Sequence, residues 1–193
     1  MQTSARTGSS AEETRSRIIA AAKAIYELNG TRGTTTREVA DRAGVNEATL
    51  FRHFGNKHAL LAAMREDACP LAVFETVLAS LDGELTADLC AIAMSLVETM
   101  HGQRAMMCIS LAEDAHAASV PEWRGPLQIM DRLEAFFVEQ IRLERIHGEA
   151  RRLAVFFMGM CFSYVIARKI WDSYSIEPRD VNYLVDIFLN GVR

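Results

Sequence analysis

Residues 34–54 read TTTREVADRAGVNEATLFRHF, and the fold follows from how this stretch is parsed. Thr35 or Thr36 can cap a helix by accepting from a free backbone N–H. Glu38 stands three residues after Thr35, the capping-box spacing. Val39 and Ala40 give this helix a small apolar face, and Gly44 stops it, since glycine takes the left-handed conformation cheaply. Asn46 then caps a second helix running from Glu47 to about His53. Val45, Leu50 and Phe54 point inward together and pack the second helix across the first. Glu47, Ala48, Thr49, Arg52 and His53 remain outward. A short rigid helix with a polar, hydrogen-bonding face is what a reader in a DNA major groove requires.

Working outward, Ser10 and Glu13 have capping-box spacing, which predicts a first helix over residues 11–28. Its apolar stripe is Ile18, Ile19, Ala22, Ile25, Tyr26 and Leu28, and Asn29-Gly30 ends it. Gly55-Asn56 breaks the chain after the second reader-region helix. Asn56 caps a fourth helix that carries Lys57 in its first turn and Leu60, Leu61 and Met64 on its apolar face. Pro70 predicts a kink or break there. Further apolar patterning predicts body helices near 86–101, 104–117, 122–147, 149–173 and 178–191, punctuated by Gly102, Pro121, Gly148 and Pro178. No strand pattern is present. The expected fold is all-α: a three-helix helix-turn-helix head and a helical-bundle body. Residues 1–10 are expected to be a disordered tail, 11–56 the DNA-binding domain, and 57–193 a ligand-binding and dimerisation domain, with the fourth helix linking the two.

This chain resembles the TetR family of bacterial transcriptional regulators. The matching residues are Thr35-Thr36-Arg37, Ala40, Ala43-Gly44-Val45, Thr49-Leu50-Phe51, His53-Phe54, Asn56-Lys57 and Ala59-Leu60-Leu61. The resemblance covers roughly residues 12 to 65; beyond that only length and helical pattern agree. It implies a dimer formed by the C-terminal helix pair, a body that binds an inducer, and repression as the usual mode. It also implies DNA-contact roles at Thr36, Arg37, Glu47, Ala48, Thr49, Phe51, Arg52, His53 and Lys57, and Asn46, the cap of the second helix, is expected in the same DNA-binding set.

The chemistry of those residues suits such roles. Thr36 lies at a helix N-terminus, where hydroxyl, N–H and dipole favour a phosphate. Thr49 and His53 can donate to phosphates, and Lys57 adds charge at another helix start. Arg37 reaches a guanine edge bidentately, Glu47 accepts from a cytosine N4 amine, and Ala48 packs on a thymine methyl. Arg52 reaches a base or a phosphate. Phe51 departs from the family, which has tyrosine there; it keeps an apolar contact but has no hydroxyl to donate. An acid at Glu47 is costly near phosphates unless a partner amine meets it.

Composition bounds the rest. The chain has 193 residues, half of them hydrophobic, enough for one or two domains with a substantial core. No run reaches the ~20 uninterrupted apolar residues of a membrane helix, and the N-terminus lacks the apolar segment of a signal peptide, so a cytoplasmic protein without membrane association is expected. Residues 1–69 carry a net charge of +2 and residues 70–193 a net of −6, which suits a head that meets phosphates on an acidic body. Four cysteines at 69, 90, 108 and 161 form no CxxC motif and read as buried reduced thiols.

Seven of the nine methionines fall between residues 94 and 160, among many aromatics. Methionine adapts its shape, so such surfaces suit an apolar effector cavity. The candidate lining is Met94, Met106, Met107, Met130, Phe137, Phe157, Cys161 and Tyr164. Residues 149–172 are apolar around the whole helical circumference and must be buried on every side. A partner copy would cover them, with Phe156, Phe162, Tyr183, Leu184 and Phe188 at the homodimer interface.

The function expected is therefore a DNA-binding regulator of a palindromic operator, released by a small, largely apolar effector, with no cofactor or metal. Two rivals stand beside it. One is a helical protein-binding adaptor. The other is a di-metal bundle enzyme, since Glu113/His116 and Glu144/His147 have Glu-x-x-His spacing.

Overall fold

The computed structural model describes residues 4–68, 71–114, 125–171 and 177–192, which form ten α-helices. In order they are α1 (Ser4–Gly33), α2 (Thr36–Ala43), α3 (Glu47–Phe54), α4 (Lys57–Asp67), α5 (Leu71–Ala79), α6 (Leu85–Gly102), α7 (Arg104–Asp114), α8 (Gly125–Arg142), α9 (Ala150–Trp171) and α10 (Pro178–Val192). The chain divides into two compact units: residues 1–69 with 105–123, and residues 70–104 with 124–193.

In the first unit, Ile18, Ile19, Ala22, Ile25 and Tyr26 of α1 are buried against Val39, Ala40 and Ala43 of α2 and Leu50 and Phe54 of α3. Leu60, Leu61 and Met64 of α4 complete the same cluster, so α4 packs as part of this unit. Two details of α1 differ from the sequence expectation. The helix begins at Ser4, so Ser10 lies inside it, its carbonyl accepting from the Thr14 hydroxyl at 2.8 Å, and does not cap it. Leu28 is 78 % exposed, because helical geometry turns it off the stripe that ends at Tyr26. The backbone leaves helical geometry at Gly30 (φ 65°, ψ −170°), at the predicted Asn29-Gly30 stop.

The second unit holds α5, α6, α8, α9 and α10. Its centre is aromatic: Phe137, Phe157 and Phe188 stand with ring centroids 5.0 to 5.8 Å apart. Two of these contacts are edge-on, the arrangement ring quadrupoles prefer. The helix predicted over 122–147 ends at Arg142, short of Gly148. Glu144 adopts φ 56°, the Arg145 N–H bonds the Gln140 carbonyl and the Glu144 N–H bonds that of Ile141. This is a Schellman stop made with glutamate in place of glycine, so no local residue type announced it.

α9 has two apolar faces. Leu153, Ala154, Phe157, Cys161 and Val165 are buried in the unit, whereas Val155 and Phe156 are 49 % and 66 % exposed. Its Ala150–Ala167 window has mean hydropathy 1.4 and is long and apolar enough to cross a membrane by length and composition, a point the uninterrupted-run criterion missed.

Of the cysteines, Cys161 alone is fully buried among those described; Cys90 and Cys108 are half-buried, and Cys69 lies outside the described residues. Burial pushes the Cys161 thiol up to about 12. At pH 8 its thiolate fraction is then about one in ten thousand, and the thiolate is the nucleophile. In the folded protein, iodoacetamide is expected to label Cys161 at least about a hundredfold more slowly than in urea. Equal rates, read by peptide mass spectrometry, would contradict its burial.

Candidate nucleic-acid interface

The helix-turn-helix is built from three local devices. The Thr35 side chain accepts from the Glu38 N–H at 3.2 Å and starts α2, settling which threonine caps it. Gly44, at φ 67°, closes α2: the Gly44 N–H bonds the Asp41 carbonyl and the Val45 N–H bonds that of Ala40. The Asn46 side chain then accepts from the Thr49 N–H at 2.7 Å and starts α3. A fourth device of the same kind follows, with Asn56 accepting from the Ala59 N–H at 2.8 Å to start α4. Each such cap contributes about 1 kcal/mol, so the turn geometry is held before any ligand arrives.

Leu50 and Phe54 anchor α3 in the core, with Val45 packed against the cluster. None of the residues assigned to DNA contact belongs to that core cluster. Arg37, Asn46, Ala48, Phe51 and Arg52 are exposed, and Thr36, Glu47, Thr49, His53 and Lys57 are half-buried. Arg52 and His53 fall in the last turn of α3, where cations complement the helix dipole.

Three contacts were not legible in the sequence. The Thr36 hydroxyl donates to Glu47 Oε1 at 2.7 Å, tying the first residue of α2 to the first residue of α3. Within the chain, Glu47 Oε1 thus meets a hydroxyl. Lys57 Nζ donates to the Thr31 carbonyl at 2.6 Å, fastening the start of α4 to the end of α1 with one of its three ammonium protons. The Arg15 guanidinium sits 5.5 Å over the Phe54 ring, covering the end of α3 with a cation. All three join residues distant in sequence and carry no periodic signal.

The residues assigned to a pocket are shared between the two units. Met106 is buried in the core of the first unit, and Met107, half-buried, belongs to that unit too. Met94, Met130, Phe137, Phe157, Cys161 and Tyr164 belong to the second. There Phe137 and Phe157 are fully buried in ring-to-ring packing. Tyr164 lines an open apolar groove of about 610 Å³ on α9, with Val155, Phe156, Met160, Ser163 and Leu184. Its hydroxyl donates to Asp180 Oδ2 at 2.8 Å, linking α9 to α10.

Of the residues assigned to the dimer interface, Phe156 and Tyr183 are each 66 % exposed, Phe162 and Leu184 are half-buried, and Phe188 is buried in the aromatic cluster. The Glu144/His147 pair does not lie on a helix. Glu144 and His147 are exposed in the turn after α8. His116 and the side chain of Glu113 lie outside the described residues.

A capped, glycine-closed pair of short helices whose second member shows a polar face is a helix-turn-helix, the DNA-reading element of many regulators. Residues 18–64 match the bacterial regulatory proteins of the tetR family. Over 189 residues, 93 % of this chain and 97 % of its relative, the sequence is 30 % identical to the uncharacterized HTH-type transcriptional regulator YvkB of Bacillus subtilis. It is 45 % identical over 49 residues to the class A tetracycline repressor protein of transposon 1721 from Escherichia coli, a stretch covering 25 % of this chain and 23 % of that protein. The fold matches the Bacillus subtilis transcriptional regulator FadR in complex with stearoyl-CoA, with TM-score 0.74, 17 % identity, and coverage of 92 % of this chain and 98 % of that one. The chain belongs to the TetR family, and it is a helix-turn-helix transcriptional regulator.

Proposed function

We propose that the protein binds a palindromic operator as a homodimer, acts as a repressor, and is released by a small, largely apolar effector. The observation that carries this reading is the face of α2 and α3, where Arg37, Ala48, Arg52 and Thr49 stand exposed or half-exposed on helices whose caps and core fix their direction. One eight-residue helix offers too few contacts for useful specificity. Two copies related by a two-fold axis reach half-sites about 34–36 Å apart.

The dimer assignment rests on α9. Its uncovered face, Val155, Phe156, Met160 and the half-buried Leu184 beside it on α10, is apolar and contiguous. A second copy covers such a face in an isologous contact. Phe162 and Tyr183 extend this surface, while Phe188 supports it from beneath. The effector assignment is drawn from the apolar second unit and from likeness to a regulator held with an acyl-CoA. An effector favouring one spacing of the heads shifts the population between binding and non-binding dimers. The lever is α4. We infer no catalytic role: Glu144 and His147 share no helix, and the relative matched along its whole length is a transcriptional regulator. The reading also places the protein in the cytoplasm, where DNA is.

The Arg37→Ala variant is expected to lose about 1–3 kcal/mol of binding to a selected operator and to relax preference at one base pair. Uniform weakening across sequences would make Arg37 a phosphate contact. Salt dependence separates this reading from a protein-binding adaptor. Six to ten phosphate contacts in the dimer cost about 10³–10⁵ in affinity between 50 and 200 mM salt. A flat profile would support the adaptor.

A further inference from the structure

Thr36 and Glu47 lie eleven residues apart and open two different helices, yet their side chains share a 2.7 Å hydrogen bond in a half-buried setting. We propose that Thr36 is a positioning residue for base recognition, holding Glu47 so that its free carboxylate oxygen accepts from the exocyclic amine of a cytosine in the major groove. The proposal rests on the reading of α3 as the DNA reader.

The chemistry is asymmetric. A threonine hydroxyl has one proton, and here it goes to Glu47 Oε1. It is not available for a phosphate oxygen, so Thr36 offers a phosphate only its backbone N–H. Glu47 retains its second oxygen, which only accepts. The N-terminal residues of a recognition helix are those that meet base edges, and Glu47 is the first residue of α3.

In the major groove guanine shows N7 and O6 and thymine shows O4, all acceptors that repel a carboxylate. Cytosine and adenine show amines. Adenine's amine is flanked by the acceptor N7, whereas cytosine's is flanked on the same base by a C–H, so cytosine is the better partner. A free glutamate would lose several rotatable bonds on binding. One already held by a stiff β-branched partner loses less, which is what preorganisation supplies.

The test uses the full-length protein and a duplex selected from a random pool, with all four pairs placed in turn at each position of the half-site. Wild type is expected to prefer cytosine at one position by about tenfold over other bases. Thr36→Val should flatten that preference by about tenfold while leaving the salt slope unchanged, and Thr36→Ser, which keeps the hydroxyl, should restore it. Glu47→Gln should move the preference to adenine, for which an amide is bidentate. In a Glu47→Ala background, where no side-chain oxygen is left for Thr36 to hold, Thr36→Val should change discrimination less than about twofold.

Equal weakening of every duplex by Thr36→Val, with a shallower salt slope, would make Thr36 a phosphate contact and overturn the proposal. An unchanged base preference in Glu47→Gln would overturn it as well, and a wild-type preference for adenine would overturn the cytosine assignment. A wild type that selects no duplex at all would instead remove the DNA-reader reading, and this proposal with it.

Discussion

The Phe156→Glu variant is expected to be a monomer at micromolar concentration and to bind operator about 10²–10⁴ more weakly than wild type. Phe156 is 66 % exposed in the single chain and lines the open groove on α9, so its loss removes no intrachain core packing. In the proposed dimer each interface carries this residue twice, and two carboxylates would have to be desolvated without partners. Circular dichroism should therefore be unchanged while light scattering reports half the mass. The loss of DNA binding follows from geometry alone, because a single head engages one half-site. A variant that stays dimeric, or a monomer that keeps full operator affinity, would contradict the interface assignment.

The Phe157→Ala variant, one residue further on, has the opposite consequence. Phe157 is fully buried, with its ring centroid 5.8 Å from Phe137 and 5.0 Å from Phe188. Truncation removes the transfer term and leaves a cavity between two rings, at a cost of about 3–5 kcal/mol. Total stabilities lie at about 5–15 kcal/mol, so a large part of the folded state's margin disappears. Urea unfolding at fixed protomer concentration measures the loss, since dimer stability depends on concentration. A loss under about 1 kcal/mol would mean that the three rings are not the centre of the second unit. The adjacent pair thus separates the two faces of α9: one position governs assembly and the other governs folding.

What the sequence made legible was whatever a local residue type encodes. Asn46 and Asn56 are caps where polar short side chains precede a helix, and Gly44 closes α2 where a left-handed residue is needed. The all-helical architecture follows from the same signals, while Pro70, where a break is expected, lies outside the described residues. Elements closed by unusual residues were read less well. Glu144 occupies a left-handed position that glycine usually marks, so α8 was extended past its end. Ser10 has capping-box spacing, but the helix runs through it from Ser4.

Contacts between distant residues were invisible. Nothing in the spacing of Thr36 and Glu47, or of Lys57 and Thr31, announces that they touch. Nor does the run of methionines announce that Met106 packs in the head core, in one cluster with residues of α1, α2 and α4. The periodicity of α9 showed that the helix is apolar all round, and the coordinates divide that property between a buried face and an open one.

The central claim is that paired copies of this chain present α3 to the major groove at two symmetric half-sites. Selection of bound duplexes from a random pool, at low ionic strength and without added effector, tests it most directly. The expected result is enrichment of an inverted repeat whose half-site centres are about one helical turn apart, or a multiple of it. Recovery of no duplex above background, or of a single unrepeated half-site, would contradict it.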